Sequence, residues 1–288
     1  MTSRSRELRA LLTRSRVIQV PCVYDGLTAR MAAEAGFEAI SITGNALAAS
    51  MLGAPDIGLT TLTEVVTAAR NIAATVSIPV IADADTGYGS VVNVTRTIRE
   101  FEQAGIAGIH IEDQVTPKRC GLVNMPIPVV SEPEFVAKLH AADWARKDPD
   151  FVIIARTDAM STMGLDEAIR RANTYLAAGA DAAMIVGPKS ATDIRTAAAG
   201  VHGPLAIVMD ERGEAGDLNA DELTEMGLAM AAYAGIARYT VVKAVQTSLA
   251  HLRRDGHTRS YRDLMAPFEE WNRVVGFDDY VEIERRFS

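Results

Sequence analysis

"VVNVTRTIREFEQAGIAGIHIEDQVTPKRCGL", residues 91–122, contains one full unit of the architecture. Val91–Ala104 carries apolar side chains at helical spacing among Glu and Arg. Ala104-Gly105 closes that segment, since glycine ends a helix in the left-handed conformation at little cost. The short apolar run Gly108–Glu112 then reads as a buried strand, and it stops at two acids, Glu112 and Asp113. A long polar loop follows to Ser131 and holds a thiol, Cys120, between Lys118-Arg119 and Gly121.

The same order recurs outward in both directions. Further β-branched runs lie at Val17–Val23, Ala39–Thr43, Pro79–Ala82, Phe151–Thr157, Ala182–Val186 and Leu205–Met209. Ala229–Ala232 is an eighth candidate, although its alanines and methionines fit a helix equally well. Helical periodicity marks Thr61–Ala74, Pro133–Arg146, Leu165–Ala178 and Gly235–Leu252, and Ala35-Gly36 and Ala178-Gly179 repeat the glycine stop. Eight such units in roughly 250 residues predict an α/β fold, a TIM (β/α)8 barrel, over an open doubly wound sheet. The first-strand G-x-G-x-x-G of a dinucleotide fold is absent. Residues 1–288 read as one barrel domain, with an amphipathic helical extension from about Arg259 that packs on the barrel or on a neighbouring subunit.

The chain has 288 residues, 48% of them hydrophobic, enough for one large core. Its net charge of −8 argues against nucleic-acid or anionic-membrane partners. An anionic ligand must therefore be held by local cations or a metal. Two distant cysteines make neither a disulfide framework nor a zinc pattern, so a cytoplasmic location is expected. The charged N-terminal segment does not read as a secretory leader, and no window is apolar enough to span a membrane.

Barrel enzymes work where their strands end, so polar residues there are collected first. The second run ends in Thr43-Gly44-Asn45, a tight turn whose N–H groups could cradle an anion. The third ends in Asp83 and Asp85, the fourth in Glu112, the fifth in Arg156 and Asp158. Asp83, Asp85 and Glu112 make an all-oxygen donor set suited to Mg²⁺ or Mn²⁺; alternatively one aspartate caps the turn and the other bonds Tyr88 or a backbone amide. Arg156 suits a substrate carboxylate or a rim aspartate, and Asp56 suits a site role or a turn. Lys118 and Arg119 would lower the Cys120 thiol's proton affinity, and Gly121 would let the backbone approach a ligand. Cys22 reads as a buried hydrophobe, and His110 receives no role.

Together DADTGYG (83–89), HIEDQV and KRCG (110–115 and 118–121) and ARTDA (155–159) resemble the isocitrate lyase/phosphoenolpyruvate mutase superfamily, nearest its methylisocitrate lyase-like branch. The motif order runs from about Val20 to Leu252. The resemblance implies a C-terminal helical segment exchanged between subunits of a homotetramer, and Mg²⁺ at Asp83, Asp85 and Glu112. It implies carboxylate binding by Thr43, Gly44, Asn45 and Arg156, with Cys120 as acid/base on a gating loop, assisted by Lys118. The implied activity is retro-aldol or retro-Claisen cleavage of a small 2-hydroxy di- or tricarboxylate to a 2-oxo acid and a second carboxylate.

Three positions depart from the branch. Leu122 stands where it has histidine, Val186 or Gly187 where it has glutamate, and Val208 near where it has asparagine. These exchanges make a less polar pocket and count against methylisocitrate itself. They keep open an oxaloacetate decarboxylase or hydrolase of the superfamily, and a carboxylate-binding barrel without turnover.

Overall fold

The computed structural model describes residues 3–121 and 125–288, so Leu122 lies outside the described residues. Eight parallel strands close into one barrel in chain order. They are β1 (Ile18–Val23), β2 (Ile40–Ile42), β3 (Val80–Asp83), β4 (Gly108–Glu112), β5 (Val152–Thr157), β6 (Ala182–Ile185), β7 (Leu205–Met209) and β8 (Met230–Tyr233). The ambiguous eighth run is thus a strand. It pairs with both β7 and β1, because closing the barrel satisfies backbone groups that an open edge would leave bare.

The helices follow the expected periodicity, including Leu62–Ala73, Val91–Gln103, Glu132–Ala145, Leu165–Ala177 and Ile236–Asp255. In all three Ala-Gly pairs the glycine has positive φ, 87° at Gly36, 79° at Gly105 and 100° at Gly179. That conformation turns the chain from helix to strand and strains any other residue.

One helix was not anticipated. Arg4–Thr13 carries three arginines and a glutamate, yet Leu8 and Leu12 are buried in the barrel's inner core with Ile18, Ile81 and Val152. Its leucines are crowded into one turn and a half, too short a run to show helical periodicity. Ion pairs from Arg6 to Asp150 and Arg9 to Asp181, each 2.8 Å, hold the helix there. It packs on inner residues near the starts of the strands, leaving their C-terminal ends for chemistry.

The C-terminal segment behaves differently. Helices Ile236–Asp255, Phe268–Val275 and Phe277–Phe287 contain no buried residue, and Leu264, Phe268 and Phe287 are each more than 70% exposed. Within one chain the apolar face anticipated from Arg259 onward is therefore largely uncovered.

Gly108 shows how tightly the barrel closes. A Cβ there would stand 2.7 Å from both Cβ and the backbone oxygen of Val152, and 3.1 Å from Leu8. Backbone cannot swing aside as a side chain does, so Gly108→Ala should lower Tm by about 5 °C. An unchanged thermal melt would contradict this packing.

Candidate active site

The strand register builds a ring. Four laterally paired sets of residues face a cavity of about 60 Å³ inside the mouth of the barrel. Cys22 of β1 pairs with Ser41 of β2, and Asp83 of β3 with His110 of β4. Arg156 of β5 pairs with Met184 of β6, and Val208 of β7 with Ala232 of β8. Each strand contributes one residue, and the ring divides by chemistry. Strands β2–β5 supply Ser41, Asp83, His110 and Arg156, whereas β6, β7, β8 and β1 supply Met184, Val208, Ala232 and Cys22. Val186, just past β6, widens the apolar arc. Thr43, Asn45, Asp56, Cys120 and Gly121 also line the cavity.

The polar arc is tightly wired. Asp83 accepts the Asp85 N–H at 3.0 Å and the Gly44 N–H at 3.2 Å. Capping of the turn is thus realised, and Gly44 directs its N–H to Asp83 instead of leaving it free for a ligand. Tyr88 is not the aspartates' partner, because its buried hydroxyl has none. Asp85 and Tyr88 have positive φ, 46° and 59°, a costly backbone for non-glycine residues that bends the chain directly after β3. Lys118 places its ammonium 2.6 Å from Asp56 and 2.7 Å from Asp85. Asp56 thus lines the cavity in contact with Lys118. The charge of Lys118 is shared between two carboxylates.

Arg156 grips Asp158 with two bonds, Nε to Oδ2 at 2.9 Å and Nη2 to Oδ1 at 3.0 Å. Its Nη1 lies 2.9 Å from Glu112, its register partner across β4 and β5. The acids 112 and 113 point in opposite directions, as strand alternation requires. Asp113, fully buried, accepts from Thr157 and Tyr175 at 2.8 Å, from Arg171 at 3.2 Å, and from the Asp158 N–H at 3.0 Å. By holding Asp158, Asp113 fixes the clamp on Arg156.

Burial governs the proton affinities. It raises Glu112 well above the usual carboxylate range and Asp85 to about 7, and it lowers His110 to about 4. Burial also opposes ionisation of Asp83, but surrounding positive charge outweighs it and holds that carboxyl below its ordinary value. His110, protonated in the acid range where Asp83 titrates, contributes most to that lowering, followed by Lys118 and Arg156. Buried Cys22 has its thiol pushed up to about 12, which agrees with its reading as a hydrophobe.

Five buried carboxyl groups (Asp56, Asp83, Asp85, Glu112, Asp158) surround two buried cations, Lys118 and Arg156. Neither Glu112 oxygen has an aligned hydrogen-bond partner, despite the nearby guanidinium. Excess negative charge, unsatisfied oxygens and hard donors fit a divalent cation such as Mg²⁺. Among the described residues no three acids already stand grouped around one ion position.

Sequence reading missed His110, Met184 and Arg238 as lining residues. Strand alternation from Glu112 back to His110 carried the signal for the first. Arg238 follows the strand whose identity was ambiguous, so its place at a strand end was hidden.

Comparison with known proteins adds the following. The family model described as phosphoenolpyruvate phosphomutase matches residues 8–253. The chain is 39% identical to a 2,3-dimethylmalate lyase of Eubacterium barkeri, over 98% of this chain and 97% of that one. It is 38% identical to a 2-methylisocitrate lyase of Escherichia coli, over 97% and 95%. Among solved structures, oxaloacetate acetylhydrolase with 3,3-difluorooxalacetate superposes with TM-score 0.91 at 34% identity, covering 98% and 96% of the two chains. Phosphonopyruvate hydrolase with oxalate and Mg²⁺ gives 0.90 at 32%, covering 99% of each.

Gly121 offers a test of the geometry. An added Cβ would collide with Asp158 Oδ1 and stand 2.7 Å from both Arg156 Nη2 and Val186. Gly121→Ala must push against the Asp158–Arg156 clamp and should lower Tm by about 4 °C. An unchanged melt would show that this contact is not made.

Proposed function

We infer the reaction from one premise: the chain belongs to the phosphoenolpyruvate phosphomutase family, within the PEP mutase/isocitrate lyase superfamily, and is a carbon–carbon lyase. We propose that its substrate is a small 2-hydroxydicarboxylate with alkyl substituents, of the 2,3-dimethylmalate kind. The observation that carries this is the divided ring, with Arg156 and the acids on one arc and Met184, Val186, Val208 and Ala232 on the other. Along the apolar arc Met184, Val186, Val208 and Ala232 give a third carboxylate no hydrogen bond, so such a group would have to reach Arg238 beyond β8 to avoid a burial cost on the order of 3–5 kcal/mol. A methyl or ethyl group there is stabilised by about 0.8 kcal/mol per buried carbon.

In the mechanism, Arg156 pairs with a substrate carboxylate, and Asp83, Asp85 and Glu112 would hold the divalent cation. When bound, that cation supplies positive charge where the cleaved fragment becomes negative. The hydroxyl proton passes to a carboxylate of the polar arc, such as Asp56 in the cavity wall, and rupture of the adjacent C–C bond turns the hydroxyl carbon into the carbonyl of a 2-oxo acid. The bonding pair remains on the departing carbon, delocalised into its carboxylate. The Cys120 thiol, which lines the cavity, gives its proton to that carbon and releases the second carboxylate. Exclusion of water by the apolar arc keeps charge–charge contacts strong.

A second reading, hydrolysis of oxaloacetate, draws support from the likeness to the acetylhydrolase. We further propose a cytoplasmic homotetramer in which neighbouring chains cover the exposed face of Leu264, Phe268, Trp271 and Phe287. No helix of the described residues is long and apolar enough to cross a membrane.

The test is a panel of 2,3-dimethylmalate, methylisocitrate, malate and oxaloacetate with Mg²⁺. Dimethylmalate should give the most 2-oxo acid, chelation should stop turnover, and Mg²⁺ should restore it. Cys120→Ser should lower kcat about 100-fold or more. Oxalate from oxaloacetate as the main product would favour the hydrolase. Turnover insensitive to Cys120→Ser but lost in Asp85→Ala would favour decarboxylation. Thermal stabilisation by these acids without turnover would leave a binding barrel.

A further inference from the structure

Gln114 follows the two acids, and the mechanism above leaves it unused. Its side chain is 1% exposed, and both ends of its amide are engaged by one residue of the loop. Oε1 accepts the Arg119 N–H at 2.8 Å, and Nε2 donates to the Arg119 carbonyl at 2.9 Å. An amide that meets the N–H and the C=O of a single residue imitates the pairing of a neighbouring strand. It fixes that residue in position and in orientation.

The root of the loop is held separately. Gln114 forms an isolated antiparallel bridge with Val129, and the Val115 N–H donates to the Pro128 carbonyl at 2.9 Å. Gln114 therefore stands on fixed backbone and reaches five residues ahead. Cys120 comes next in the chain, and its N–H donates to the Asp56 carbonyl at 3.1 Å.

We infer that Gln114 is a positioning residue whose amide latches Arg119 and so presents the Cys120 thiol to the cavity. The inference rests on the reading of Cys120 as the acid. Few other side chains would serve. Glutamate turns an acceptor toward the Arg119 carbonyl, leucine offers neither group, and asparagine is one methylene too short.

The test uses the full-length protein with Mg²⁺ present. Iodoacetamide labelling mapped by mass spectrometry separates half-exposed Cys120 from buried Cys22, an internal control. Cys120 should be labelled about tenfold faster in Gln114→Leu and Gln114→Glu, with Gln114→Asn intermediate. In parallel kcat should fall about tenfold while KM changes by about twofold at most. Should the leucine variant not fold, as judged by its melt, the asparagine variant carries the same comparison. Parental labelling rates in the folded variants would overturn the inference, whatever the turnover. Faster labelling, combined with a Cys120→Ser enzyme that retains full turnover, would uphold the latch and remove Cys120 from its assigned role.

Discussion

The site depends on holding more negative than positive charge in a place nearly without water. Asp56, Asp83, Asp85, Glu112 and Asp158 are each less than 10% exposed, as are Lys118 and Arg156. A buried charge is tolerated only when paired and hydrogen-bonded, so each group is fixed by another. Lys118 bridges Asp56 and Asp85, Arg156 clamps Asp158 and faces Glu112, and Asp113 anchors the Asp158 backbone. The constraint extends outward through Tyr175 and Arg171 into the surrounding helices. Residual negative charge then suits the arc to the divalent cation proposed above.

In the proposed reading the opposite arc sets selectivity. Met184, Val186, Val208 and Ala232 have no polar side-chain atoms to meet a third carboxylate or a hydroxyl. A pocket that is anionic on one wall and apolar on the other distinguishes ligands by the partner each group finds. On that reading this difference disfavours a tricarboxylate substrate and leaves the residues of the polar arc in place.

Much of this was legible in the sequence. The barrel followed from apolar runs, helical periodicity and Ala-Gly stops, because those patterns follow local geometry. Asp83, Asp85, Glu112 and Arg156 were found because polar residues at the ends of buried strands are costly without a use. Contacts made across the barrel were not legible. That Lys118 would turn to Asp56, or that Gly44 would give its N–H to Asp83, depends on register between strands distant in sequence. The eighth strand was ambiguous and the helix Arg4–Thr13 was missed for a related reason, since Ala-Met and Arg-rich segments acquire their structure from what they close against.

The central claim is that a C–C bond breaks against the polar arc and Cys120 protonates the carbon released. Cleavage of 2,3-dimethylmalate in D₂O, followed by mass spectrometry and NMR, addresses it directly. The account predicts a 2-oxo acid in equal amount with a carboxylate carrying one deuterium at the former bond carbon. That deuterium should be in a single stereochemical position in the parent enzyme and distributed over both in the residual product of Cys120→Ser. Products without the 2-oxo acid, or identical stereochemistry and rate in the serine variant, would contradict it.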